Sequence, residues 1–428
     1  MKFGTDGIRG IYGSELKDVH AYKIGKKLGE WTKRHNKSNN QNLTIVIGRD
    51  TRVSGKALLN AFACGAAEQG IQVTSLGVVP TPAVEYYVQH GGFLFGVMIT
   101  ASHNSKEYNG IKVFAASGNK ISASQEQEIE KSLSVAKSFC FKNVSIKTKR
   151  PTEYTNYLRG NLCAFDQKIA IDCANGSAVR IAKKVFKNCN VVWVGASPNG
   201  KNINKNCGST KISKLVGVVK QNNCFAGFAF DGDADRCLAV DEKGNVMSGD
   251  HILFVLSNQM KSNGRLLDGV VATELSSLAL CDALKQNDIK LVQTKVGDKY
   301  VKQKMDELGW NLGGEQSGHI IVGDKSNTGD GILTAIELIG AMANSKKSLS
   351  CLAKKFVPLC RVEINVCTKS EMYSDAIKIA NELNNSLSGE RVLIRKSGTE
   401  NVVRIMCESG SKRRATMFAT YFQALVSN

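Results

Sequence analysis

An apolar run that stops at a polar loop, then a helical segment, then a second apolar run recur three times along this chain, and that repetition narrows the fold more than any other feature. The first run, 43–50, ends in Gly48-Arg49-Asp50; Ser54 stands where it can cap a helix reaching Gly70, and 71–76 reads as the next strand. The same order returns at 168–172, 177–187 and 191–194, and again at 269–273, 276–286 and 289–294. The tail breaks the pattern. Its short apolar runs at 361–367, 391–394 and 402–407, with helical periodicity at 371–383 and from Lys412 onward, predict a smaller α+β unit. The expected fold is α/β: three consecutive similar domains with mixed sheets at 1–148, 149–247 and 248–357, followed by a smaller C-terminal α+β domain at 358–428.

Each unit carries one loop of unusual chemistry: Thr100-Ala101-Ser102-His103-Asn104, Asp231-Gly232-Asp233-Ala234-Asp235-Arg236, Gly314-Glu315-Gln316-Ser317-Gly318-His319 and Arg395-Lys396-Ser397-Gly398-Thr399. Three carboxylates at alternate positions repel one another unless a hard divalent cation neutralises them, so a metal site at Asp231, Asp233 and Asp235 is the simplest reading. A solvated acidic turn is the plain alternative. An EF-hand is opposed by Arg236, which stands where that loop's sharp turn takes glycine, although Glu242 falls where its last ligand would.

Ser102 ends the run 95–100 in a polar loop, which suits a nucleophile that meets its substrate in the open; a residue merely capping the next turn is the alternative. The adjacent His103 invites a hydrolase reading. Against it, the G-x-S-x-G elbow is absent, and neighbours on an extended chain point to opposite faces. Arg395, Ser397, Gly398 and Thr399 offer a guanidinium, hydroxyls and backbone N–H groups between two strands, as a fixed phosphate dianion requires; an ordinary hairpin loop has the same composition. Glu315 and Gln316 between glycines can bind sugar hydroxyl or amino groups, and His319 can exchange a proton or simply end a strand. A nucleophile, a cation site, a sugar reader and an anion cradle together make a phosphotransfer cleft.

Composition excludes several other classes. The opening Met1-Lys2-Phe3-Gly4-Thr5-Asp6 predicts no targeting segment, and the apolar stretch 93–101 is about half of a membrane span, so no membrane partner is expected. The 13 cysteines are scattered without a C-x-x-C pair, which fits reduced thiols in a cytoplasm; Cys173, Cys237 and Cys367 lie in apolar runs, where a free cysteine acts as a small buried hydrophobe. The net charge of +19 is spread along the chain. Its short basic clusters at 147–150 and 412–414 are not interleaved with aromatics, so no nucleic-acid partner is expected.

These loops, with the opening Phe3-Gly4-Thr5-Asp6-Gly7-Ile8-Arg9-Gly10, Gly48-Arg49-Asp50-Thr51-Arg52, Asn109-Gly110-Ile111-Lys112, Val296-Gly297-Asp298-Lys299-Tyr300 and Thr328-Gly329-Asp330-Gly331, resemble the α-D-phosphohexomutase superfamily over nearly the whole chain. The opening motif and Gln316, where phosphomannomutase/phosphoglucomutase relatives tend to carry methionine, point to the phosphoglucosamine branch. The resemblance implies four domains around a central cleft and an isomerase that interconverts glucosamine 6-phosphate and glucosamine 1-phosphate on the way to UDP-N-acetylglucosamine. By that resemblance Ser102 carries the phosphoryl group, and Mg²⁺ is held by Asp231, Asp233, Asp235 and the phosphoserine oxygen. Arg9, Lys112, Arg236 and His319 would surround the transferring group, Glu315 and Ser317 would contact sugar hydroxyls, and Arg395, Ser397, Gly398 and Thr399 would hold the distal phosphate. Glucosamine 1,6-bisphosphate is the implied primer and intermediate. A hexosamine phosphate is the expected partner, with a homodimer and a priming kinase as further candidates. The chain departs from the family pattern at Ser105, Asn401 and Lys211, where proline, proline and histidine are usual. Three other readings stand beside this one: a phosphomannomutase/phosphoglucomutase with the same machinery, a non-catalytic sugar-phosphate sensor, and a basic nucleic-acid binder.

Overall fold

The computed structural model describes residues 1–4, 6–39, 43–133, 144–367, 373–396 and 402–427. They form two compact units, one of Met1–Glu274 with Val292–Leu352, the other of Leu275–Leu291 with Ala353–Asn428.

The larger unit holds three mixed sheets. The first orders its strands Ile8–Ile11, Tyr108–Ala115, Phe93–Ile99, Thr44–Arg49, Val73–Val78 and Lys147–Thr148. Thr44–Arg49 is parallel to both neighbours, whereas Phe93–Ile99 meets Tyr108–Ala115 antiparallel. The central strands read as continuous apolar runs because both their faces are buried, the condition of a parallel strand inside an α/β layer. Helices Asp18–Asn39 and Gly55–Ala67 approach closely: a Cβ at Gly25 would run into the Phe62 carbonyl, and one at Gly65 into that of Tyr22. The second sheet runs Val246–Met247, Cys237–Asp241, Ala226–Phe230, Ile169–Asp172, Val191–Val194. In the third, Gly269–Thr273 is parallel to Leu312–Gly314, which pairs antiparallel with Ile320–Val322.

The smaller unit is an antiparallel sheet, Cys360–Val366, Val403–Ser409, Arg391–Lys396, with helices Tyr373–Ser386 and Lys412–Ser427 sharing one apolar core with it, in which Ala376, Ala380 and Phe422 of the helices join Ile405 and Cys407 of the sheet. Residues 275–291, read above as part of the third α/β block, group with this unit. Arg361 and Arg391 donate to the Leu275 and Ser276 carbonyls, and Glu408 accepts from the Leu278 N–H.

Three local expectations are corrected. Ser54 does precede its helix but makes no side-chain cap; its Oγ accepts instead from Asn109 Nδ2 at 2.8 Å. The strand expected at 71–76 starts at Val73, because Gly70 turns out of the helix at φ +75° and the Ile71 N–H closes on the Ala66 carbonyl. Cys173 and Cys237 are buried, but Cys367 is exposed, one residue past its strand.

Helix Thr81–His90 buries Glu85, 2% exposed, with Oε1 unpartnered. Burial above all, and then the charge of Asp330, pushes its carboxyl up to about 8. The folded chain therefore keeps a proton that the unfolded chain loses above its ordinary value of 4.5, so this group's contribution to stability falls as pH rises from 4.5 to about 8. Glu85→Gln, which mimics the protonated acid, is expected to be more stable than the wild type by roughly 2–4 kcal/mol near pH 7.5. The two should be equal near pH 4.5. Urea midpoints at the two pH values check this, and a pH-independent difference would contradict it.

Candidate active site

Strand Phe93–Ile99 and strand Thr44–Arg49 run parallel, so the loops after them leave the same sheet edge, where open α/β sheets bind ligands. Thr100 Oγ1 donates to Asp50 Oδ2 at 2.7 Å and accepts the Ser102 N–H at 2.9 Å. Ser102 then takes φ 50°, a left-handed conformation that costs a non-glycine residue about 1–2 kcal/mol. What holds it there is the buried guanidinium of Arg52. Its Nε donates to Asp50 Oδ2 (2.9 Å), Nη1 to the carbonyls of Ser105 and Tyr108, and Nη2 to those of Ser102 (3.1 Å) and Asn104 (2.9 Å). Asn204 Nδ2 adds bonds to the Ser102 and Asn104 carbonyls. Lysine cannot reproduce that planar fork. Arg52→Lys is expected to destabilise the chain by about 3 kcal/mol and to lower kcat with it. Thermal unfolding beside steady-state kinetics checks this, and a variant matching wild type in both would remove Arg52 from the account.

Strand Ala226–Phe230 is wholly buried and delivers Asp231, Asp233 and Asp235, whose ligand oxygens lie within 4.8 Å of one another. Ser102 Oγ donates to Asp231 Oδ2 at 2.5 Å. Thr81 donates to Asp233 Oδ2 through Oγ1 (2.5 Å), and its N–H to the Asp233 carbonyl (2.9 Å). Lys112, almost fully buried, sets Nζ 2.8 Å from Asp233, 2.7 Å from Asp235 and 2.9 Å from Asp6. Burial works against its charge, but the three carboxylates win and hold it well above the usual lysine range. Asp231 shifts the other way: burial, then Asp235 and Asp233, push its carboxyl well above the usual range. Asp233 Oδ1 and Asp235 Oδ1 are buried without a hydrogen-bond partner. A site with crowded carboxylates, two orphaned oxygens and one acid forced towards neutrality fits a hard divalent cation.

Around this centre, Arg9 pairs with Asp6 and donates to Asn104 Oδ1 at 3.3 Å. Lys120 bridges Asp6 (2.8 Å) and Asp298 (2.5 Å). His319 Nε2 accepts the Gly329 N–H at 3.0 Å, which places the ring proton of a neutral His319 on Nδ1, 3.8 Å from Asp235 Oδ2. Glu315 Oε1 accepts the Gly297 N–H at 3.1 Å, and Ser317 donates to Glu315 Oε2 at 3.4 Å. Arg236 is held above the usual arginine range: burial opposes its charge, but Asp235, Asp231 and Glu315 outweigh it, which links the acidic loop to the Glu315 loop.

The larger unit thus brings together Ser102, the three aspartates, Arg9, Lys112, Arg236, His319, Glu315 and Ser317. Arg395 belongs to the smaller unit, in register with Arg404, and Ser397, Gly398 and Thr399 lie outside the described residues. Two expectations fail. Ser102 is not open to solvent; it is 0% exposed, drawn in by its bond to Asp231. His103 does not point away from it: the left-handed turn at Ser102 brings His103 Nδ1 to 3.2 Å from Oγ. Burial, then Arg236 and Arg9, push this imidazole down to about 4, so it stays neutral near pH 7. Sequence reasoning also missed Thr81 and Lys120, which carry no local motif, and gave Asp6, Arg52 and Asp298 no role although their motifs were visible.

The chain matches the family Phosphoglucomutase/phosphomannomutase in all four of its parts: alpha/beta/alpha domain I over residues 1–138, domain II over 152–244, domain III over 248–360 and the C-terminal domain over 373–424. It is 41% identical to the phosphoglucosamine mutase of Alkaliphilus oremlandii (strain OhILAs), with 99% of this chain and 98% of the relative aligned. In fold it is similar to a phosphoglucomutase/phosphomannomutase family protein from Burkholderia thailandensis, with a TM-score of 0.82 at 23% identity over 98% of this chain and 96% of that one. It also resembles the Aspergillus fumigatus N-acetylphosphoglucosamine mutase solved in complex with GlcNAc-6P and magnesium, at a TM-score of 0.70 and 16% identity over 100% of this chain and 95% of that one. With every domain matched in order and a relative of this identity aligned end to end, the chain belongs to the phosphoglucomutase/phosphomannomutase family and, within it, to the phosphoglucosamine mutases.

Proposed function

We propose that this enzyme interconverts glucosamine 6-phosphate and glucosamine 1-phosphate in the cytoplasm, through a phosphorylated Ser102 and glucosamine 1,6-bisphosphate, supplying a precursor of UDP-N-acetylglucosamine. The observation that carries the reading is the placement of Ser102 Oγ 2.5 Å from Asp231, inside the acidic cluster that Lys112 caps. Asp231, Asp233 and Asp235, with an oxygen of the phosphorylated Ser102, would hold Mg²⁺. When bound, that ion offsets the negative charge of the transferring phosphoryl group.

In the first half-reaction the free sugar hydroxyl attacks the phosphorus on Ser102. A P–O bond forms to the sugar, the Ser102 P–O bond breaks, and the proton released by the sugar hydroxyl is taken up by the departing Ser102 oxygen, which becomes the hydroxyl that donates to Asp231. Lys112, Arg9 and Arg236 face the phosphoryl oxygens as charge moves onto them. His319 offers its Nδ1 proton at the same place. Glu315 and Ser317 hold the sugar hydroxyls, and Arg395, Ser397, Gly398 and Thr399 hold the phosphate that is not reacting. The bisphosphate then turns and returns its other phosphoryl group to Ser102. A hydrolase needs one phosphate site; this exchange needs two.

Initial rates on glucosamine, glucose and mannose 6-phosphates, with Mg²⁺ and a trace of the matching bisphosphate, test the assignment. The highest kcat/KM is expected for the glucosamine phosphate. A preference for mannose or glucose would support the phosphomannomutase/phosphoglucomutase reading instead.

A further inference from the structure

A cavity of about 310 Å³, lined by none of the residues proposed above for catalysis, opens between the loop that follows strand Thr44–Arg49 and the start of helix Ala178–Val185. Its lining includes Arg49, Thr51, Gly176, Ser177 and Arg180, and no acidic residue. Ser177 stands at the N-cap of the helix, 0% exposed, yet its Oγ caps nothing and has no hydrogen-bond partner. Its N–H is committed to the Gly232 carbonyl at 2.9 Å, which fixes the residue in place. The Thr51 hydroxyl is likewise spent, on the Asn175 carbonyl at 2.8 Å.

The two arginines are not neutralised. Arg49 Nη1 donates to the carbonyl of Asp50 at 3.2 Å, while the Asp50 carboxylate is taken by Arg52 and Thr100. Burial weakens the basicity of Arg49, with the charge of Asp50 opposing, as befits a cation that has lost water without gaining a carboxylate of its own. Arg180 is exposed at the rim and makes no ion pair among the described residues. Two guanidinium groups, an unspent buried hydroxyl and the N–H groups of a helix first turn are all donors, and the helix dipole adds its positive end. The group that satisfies all of them is a compact oxyanion offering only acceptors.

We propose that this cavity is a second anion site, distinct from the catalytic centre, which takes a phosphate or phosphomonoester group between Arg49 and Arg180 with Ser177 Oγ as a donor. Because Ser177 is bonded to Gly232, inside the loop of the three aspartates, the bound anion sits one peptide contact from the metal loop.

Calorimetric titration of the full chain at constant ionic strength, first with inorganic phosphate and then with methyl phosphate, tests this with wild type, Ser177→Ala and Arg180→Glu. In chloride buffer both variants should keep wild-type turnover and thermal midpoint. Ser177→Ala is the sharper test, since removing an unpartnered buried hydroxyl does not weaken the anion-free fold. Wild type should show a saturable phosphate event that both variants weaken at least tenfold. Methyl phosphate binding as well as phosphate assigns the site to an esterified metabolite; phosphate alone binding assigns it to the free ion. Identical isotherms in all three proteins would place all phosphate binding at the catalytic centre and overturn the proposal. So would loss in Arg180→Glu with Ser177→Ala unchanged, which is the behaviour of diffuse attraction to a basic surface.

Discussion

Ser102→Ala is expected to lower kcat by about a thousandfold or more while leaving the fold intact and its affinity for Mg²⁺ equal to that of the unphosphorylated wild type, since only the phosphorylated serine offers the ion an oxygen. The hydroxyl is the proposed carrier, and among the described residues no other serine or threonine side chain bonds Asp231: Thr81, another hydroxyl at the acidic loop, is tied to Asp233 by both its Oγ1 and its N–H. The left-handed backbone at position 102 is imposed by Arg52, Asn204 and Thr100 rather than by the serine side chain, so alanine inherits the strain without adding to it. The three carboxylates remain in place. Turnover measured with trace bisphosphate, beside metal titration and circular dichroism, separates the chemical loss from misfolding. A variant that kept a tenth of wild-type kcat would show that the phosphoryl group travels by another residue.

Lys112→Met should give a different signature. The ammonium lies within 2.9 Å of three carboxylates, of which Asp233 and Asp235 are buried, so its loss leaves those two without their cation, and about 3–5 kcal/mol of stability should go with it. The loss of kcat is expected to be about a hundredfold or more, since a cation facing the transferring group is removed. The affinity for Mg²⁺ should not fall, and is expected to rise, because Nζ no longer competes for the Asp233 and Asp235 oxygens. Adding Mg²⁺ should therefore recover much of the thermal midpoint but not the rate. Weakened metal binding together with lost stability would instead mean that Lys112 shapes the acidic loop, and its catalytic role would have to be withdrawn.

How far the sequence carries the argument depends on whether the deciding interaction is local. Strand 269–273 was readable to the residue, because burial on both faces leaves an unbroken apolar run that turns polar where the sheet ends, and 191–194 because its run of valines and tryptophan is apolar throughout although the strand is only partly buried at the sheet edge. The acidic loop was readable for the same reason, since three carboxylates at alternate positions are costly without a partner. The partners themselves were not. Lys112 lies 123 residues from Asp235, and Thr81 lies 152 from Asp233, separations that no local pattern reports. Ser102 looked exposed because polar loops usually are, and only the tertiary bonds to its carbonyl and hydroxyl reveal why it is buried and left-handed. His103 was set aside on the geometry of an extended chain, which that same φ invalidates. Ser54 and Ser177 both stand at N-caps by position, and neither caps its helix; composition cannot distinguish a cap in use from one whose hydroxyl points elsewhere.

The most direct test of the central claim is a single-turnover experiment with stoichiometric glucosamine 1,6-bisphosphate, followed by peptide mass spectrometry and by a chase with unlabelled glucosamine 6-phosphate. The account predicts one phosphoryl group on the peptide containing Ser102, a matching release of glucosamine monophosphate, and transfer of that same group to the chased sugar. Phosphoryl recovered only as inorganic phosphate, or found on a residue other than Ser102, would contradict it.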